Sequence, residues 1–103
     1  MRKKSKKLAK LERERFSVFY DDLTRCCYCG SSYQMTKHEI FEGSKRINSM
    51  KYGFVLPLCW KCHQELQDNF EFSEMWKKKA QHYFEDNIGS REEFLKLFTK
   101  SRL

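Results

Sequence analysis

The sequence predicts an α+β, mainly helical fold in which two short strands and a helix gather around a cysteine-rich metal site, with further helices at both ends. Three observations carry that expectation: two C-x-x-C pairs in 103 residues, two strand-like runs between the pairs, and helical apolar spacing on either side. A chain this short holds at most one domain and a small core, so it needs a staple such as a metal or disulfides. Its 40% hydrophobic and 16% aromatic content argues against disorder.

From about Lys6 to Tyr20, Leu8, Leu11, Val18 and Phe19 form a narrow apolar stripe that predicts a helix, ended by "YDDLT". Residues 1–15 carry eight Lys/Arg and two Glu in a chain of net charge +7, so the positive charge is concentrated in this arm. Lys3, Lys4, Lys6 and Lys7 are therefore candidates for sequence-independent contacts to nucleic-acid phosphates, with a solubilising tail as the alternative. Residues 33–42 contain a strand-like stretch that ends near His38–Phe41. Phe54–Leu58 is a second such run, with Gly53 marking a turn before it. The two runs are expected to pair as a minimal hairpin, which is not stable alone. Beyond Cys59 the pattern turns helical. Ser73 reads as an N-cap, and Trp76, Ala80, Tyr83 and Phe84 follow at helical spacing until Gly89. Ser90 and Glu93 form a capping-box pattern opening a last helix, with Phe94, Leu95 and Phe98 as its inner face. The organisation expected is a basic helical arm over 1–25, a zinc-stapled core over 26–70 and a helical region over 71–103 packed on that core.

Cys26 and Cys29 form the first pair, and Cys59 and Cys62 the second, with 29 residues between them. Cys27 has Gly30 three positions on, so it is left as a spare thiol or a packing residue. "MRKKSKK" is followed by no apolar stretch, so no secretory signal is visible, and no run approaches the ~20 apolar residues of a membrane span. The expected location is intracellular, where paired cysteines bind metal more often than they form disulfides. Four thiolates suit tetrahedral zinc. The first pair lies in a "CYCG" turn, and the second lies where a strand gives way to a helix whose N-terminus favours thiolates. Knuckle, hairpin and helix around one zinc describe a treble clef. Zinc binding contributes roughly 10–16 kcal/mol in small zinc peptides, enough to hold a fold with so small a core.

His38 and Glu39 end the first strand and His63 follows the second cysteine pair, so strand and helix are expected to bring the three together. Imidazole and carboxylate suit Mg²⁺, Mn²⁺ or a similar hydrolytic ion. Lys45 and Arg46 are expected in the loop between the strands, as a phosphate clamp or as solvated charges.

"CYCG…KHEIFEG…VLPLCWKCHQEL" resembles the HNH endonuclease family, the ββα-metal nucleases built on a zinc-stapled treble clef, and within it the small phage and prophage branch. The resemblance covers roughly residues 26–70. It implies that Cys26, Cys29, Cys59 and Cys62 hold structural zinc and that His63 ligates a catalytic ion. Most members read Asp-His or His-His on the first strand, the first residue binding metal and the second acting as base. His38-Glu39 departs from that. Carboxylate binds Mg²⁺ well, and an imidazole with pKa about 6.5 is a better base at neutral pH than a glutamate near 4.3. His38 is thus expected as base and Glu39 as ligand. Phe54 stands where the family has its middle Asn, leaving Asn48 as the nearest candidate. The function implied is metal-dependent hydrolysis of double-stranded DNA in phage or prophage DNA processing. A non-catalytic zinc module binding nucleic acid or protein is the alternative.

Overall fold

A computed structural model describes residues 6–103. The elements are α1 (Lys6–Arg13), β1 (Met35–Glu39), a 3-10 turn (Gly43–Lys45), α2 (Arg46–Tyr52), β2 (Val55–Cys59), α3 (Trp60–Leu66), α4 (Phe70–Asn87) and α5 (Arg91–Phe98). About half of these residues are helical, and β1 and β2 form a two-stranded antiparallel hairpin. Its register sets His38 opposite Leu56 and Glu39 opposite Val55. The unbroken apolar run of β2 is buried along its whole length. Pro57 has no N–H to give the ladder, but its carbonyl accepts the Cys27 N–H at 2.8 Å, which ties the first cysteine turn to this strand.

The first helix is shorter than its apolar stripe suggests, stopping at Arg13. Val18 and Phe19 still reach the core, from irregular backbone. The Val18 N–H donates to the Gly53 carbonyl at 2.9 Å. Phe19 packs edge-on to Trp76 and Tyr83, with ring centroids at 5.2 and 5.8 Å. Tertiary packing overrides local periodicity here. The interval between the strands, expected as a loop carrying Lys45 and Arg46, is ordered: Lys45 closes the 3-10 turn and Arg46 opens α2. The buried Ser49 hydroxyl fixes it, donating to the Phe41 carbonyl and accepting the Phe41 N–H, both at 2.9 Å. Gly53 then ends α2 at φ 73°, and a Cβ there would collide with the Phe16 ring.

The long helix begins one turn before the expected cap. Asn69, not Ser73, is its N-cap and accepts the Phe72 N–H at 3.0 Å. The last helix opens as its sequence indicates, with both bonds of the Ser90–Glu93 capping box formed. Phe94 and Phe98 are buried, but Leu95 is exposed and is not part of the inner face. Phe98 packs on Phe41 at 4.4 Å between centroids. The apolar cluster runs from Cys26 through the hairpin to Phe84, Phe94 and Phe98, so arm, cysteine frame and C-terminal helices share one core.

Candidate metal centre

Two tight turns deliver four thiols to one point. The ligand atoms of Cys26, Cys29, Cys59 and Cys62 all lie within 4.8 Å of one another. Cys29 Sγ and Cys59 Sγ are 3.6 Å apart. Two sulfurs bonded at ~2.3 Å to a tetrahedral zinc sit about 3.8 Å apart, so the donor set fits such an ion. The backbone is arranged around anionic sulfur. Cys26 Sγ accepts N–H groups from Tyr28 and Cys29 at 3.4 and 3.5 Å, and Gly30, at φ 81°, turns the chain back. Cys59 is the N-cap of α3, and its Sγ accepts the Cys62 N–H at 3.4 Å. Burial opposes ionisation of Cys26, but the N–H groups outweigh it and hold the thiol at a pKa of about 6. Cys62 moves the other way, raised by burial and then by hydrogen bonds within the cluster. Cys27 stands outside the cluster; burial, followed by the charge on Cys26, pushes its thiol to about 11.

Beside this frame, β1 and α3 bring two histidines together. The His38 and His63 rings meet edge to face with centroids 5.2 Å apart. Alternation along β1 puts Thr36 on the same face as His38. The Thr36 hydroxyl donates its one hydrogen to the Leu58 carbonyl at 2.7 Å and sits 3.5 Å from His63 Nδ1. It can then only accept from that nitrogen, which favours an Nδ1–H tautomer and leaves Nε2 with a free lone pair. His38 is lowered to a pKa of about 4, first by burial and then by the charges of His63 and Lys77. Glu42 lies 3.5 Å from His38 Nε2, but its side chain is 59% exposed, so its hydrated carboxylate offsets burial weakly.

The same alternation turns Glu39 away. Glu39 Oε1 accepts from Arg15 Nη1 at 3.0 Å and from Arg46 Nε at 3.1 Å, and Arg46 also pairs with Glu12 at 3.5 Å. The expected convergence of His38, Glu39 and His63 therefore reduces to the two histidines. Among the described residues, only the four cysteines form a metal-competent group of three or more. Arg46 is held in carboxylate pairs rather than free in a loop. Asn48 uses its side-chain amide on the Leu97 carbonyl at 2.8 Å, tying α2 to α5. Lys6 and Lys7 are exposed on α1, while Lys3 and Lys4 lie outside the described residues. Thr36, Glu42, Lys77 and Arg15 were not singled out from sequence. Thr36 was accessible to that reading, because it lies two residues before His38 on a strand. Glu42 lies four residues after His38 and meets it across the end of β1, while Lys77 and Arg15 become visible only through tertiary contacts.

No helix among the described residues is long and apolar enough to cross a membrane. No family model, curated protein or solved structure matches this chain.

Proposed function

We propose that this chain is an HNH-type endonuclease, in which a zinc-stapled treble clef presents a histidine pair to a phosphodiester bond of DNA. The observation that carries the reading is the 5.2 Å approach of His38 on β1 and His63 on α3, the helix that carries Cys62 of the cysteine cluster. The cluster would hold the structural zinc. His63 Nε2 is the one side-chain donor among the described residues that would face a Mg²⁺ or Mn²⁺ ion there, so the ion's other positions would fall to water and phosphate oxygens, to which it would supply positive charge. Thr36 orients that imidazole from its other nitrogen. His38 would be the group that takes a proton from the attacking water; burial, His63 and Lys77 hold its pKa at about 4, which keeps it neutral at physiological pH and makes it a weaker base than the free imidazole expected from sequence. Glu39 has a different role from the ligand expected of it: it binds Arg15 and Arg46, which fixes β1 against the N-terminal segment and α2.

The rival reading is a zinc module that binds nucleic acid or protein without cutting it. It is favoured by the structural engagement of Glu39 and Asn48, two of the four side chains expected in catalysis. Supercoiled plasmid incubated with the zinc-loaded protein and Mg²⁺, Mn²⁺ or neither separates the two. Metal-dependent nicking or linearisation that His38→Ala abolishes supports the nuclease. A wild type that binds the plasmid and leaves it intact with every ion leaves the binding module.

A further inference from the structure

A cleft of about 250 Å³ opens where α3 gives way to α4, lined by Gln67, Asp68, Phe70, Ser73, Glu74 and Lys77 among others. It is smaller than the ~300–1,000 Å³ of pockets for drug-sized ligands, which suits a single planar group. Phe70 stands at its edge with 75% of its surface exposed, an unusual position for the ring that opens a long helix. Lys77, one of its lining residues, is also close enough to His38 to act on that imidazole electrostatically. No carboxylate pairs with Lys77 among the described residues, whereas Glu74 is neutralised by Arg102. At the other member of the histidine pair, Trp60 is 48% exposed and lies edge-on to His63 at 6.0 Å. Exposed rings thus stand at the cleft that Lys77 lines and beside His63.

Resting on the nuclease reading above, we infer that this cleft receives one unpaired nucleotide next to the bond to be cut, so that the substrate is single-stranded or locally opened DNA. The base stacks on Phe70, which every base can do through its π face. Asp68 and Gln67 offer an acceptor and an amide to the base edge, and Lys77 meets the phosphate between that base and the histidine pair. A paired base would have its face covered by its neighbours in the stack and could not use Phe70 without being extruded.

Fluorescence anisotropy tests this with a dye-labelled single strand of about a dozen nucleotides and a hairpin duplex of the same composition. The buffer contains no added divalent ions, so nothing is cut. Phe70→Ala should weaken binding of the single strand by at least about fivefold and change duplex binding by less than about twofold. Phe70→Tyr, which keeps the ring, should retain wild-type affinity. Lys77→Gln should weaken single-strand binding and lower its log–log salt slope by about 0.7. Because the ring is exposed, the melting temperature of Phe70→Ala should match wild type. A Phe70→Ala protein that binds the single strand as wild type does, or that loses strand and duplex equally, overturns the inference. Plasmid cleavage by the wild type reports separately: cutting without a Phe70 effect leaves the nuclease and removes the cleft. Phe70-dependent strand binding without cutting does the reverse.

Discussion

His38 has lost most of its contact with water and keeps its imidazole neutral down to a pKa of about 4. The unfolded chain takes up that proton near pH 6.5. Between these values the unfolded state holds more protons, so this residue's contribution to stability falls as the solution is acidified from about 6.5. The groups facing it are the His63 ring, the Lys77 ammonium and the exposed Glu42 carboxylate. His38→Gln should therefore lose less melting temperature than wild type between about pH 6.5 and 5, and parallel curves would show that His38 titrates normally. If the proposed nuclease activity is present, His38→Ala should cost it about 10²–10⁴-fold in rate with zinc content unchanged. His63→Ala should also be inactive, with partial recovery in excess Mn²⁺. Glu39 behaves differently. Glu39→Gln removes the charge that two arginines share and should lower stability by about 1–3 kcal/mol in denaturant melts. It should still cut at saturating Mn²⁺; a stable but dead variant would return Glu39 to the ligand set. Sequence spacing identified the histidines and the cysteines. Strand alternation already implies that one step sends His38 and Glu39 to opposite faces, but spacing could not reveal which of those faces meets α3.

At the scale of the elements, local chemistry was legible where the chain makes its own bonds. The Ser90–Glu93 box is such a case, and Ser90→Ala should cost about 0.5–2 kcal/mol with little effect on the metal centre. Circular dichroism on melting, together with zinc content, checks both halves of that statement. The α4 cap was misplaced because Asn69 and Ser73 are both good capping residues and only the turn after Leu66 selects between them. Helix α2 was missed for a related reason. Neither its N-cap nor that of the 3-10 turn makes a side-chain bond, and what holds the region is Ser49 clasping both backbone groups of Phe41 across the chain. Such a bond has no signature in a short window of sequence.

For the whole molecule, the cysteine frame ties the first turn to the end of β2 and the start of α3 within the shared core. Zinc should be retained by Cys27→Ser and lost, together with the cooperative melt, in Cys29→Ser or Cys62→Ser. Elemental analysis and thermal denaturation of the three variants measure this directly; a Cys62→Ser protein that melts as wild type does would remove the metal from the account of stability. The mix of helices with a two-stranded hairpin and a four-cysteine cluster was readable because paired cysteines and apolar runs declare themselves at any scale. The single core shared by arm and C-terminal helices was not, since Val18 and Phe19 enter it from irregular backbone.

The low pKa of Cys26 also has a consequence for synthesis. The first turn leaves the ribosome before α2 or β2 exists, and two of the backbone groups that favour its thiolate, those of Tyr28 and Cys29, are local to that turn, while that of Cys59 arrives with the second pair. A nascent chain could therefore capture zinc on two sulfurs and wait for Cys59 and Cys62, whose arrival closes the loop. Assembly would then be timed by metal supply at translation, and chains made during zinc scarcity would be left to proteolysis.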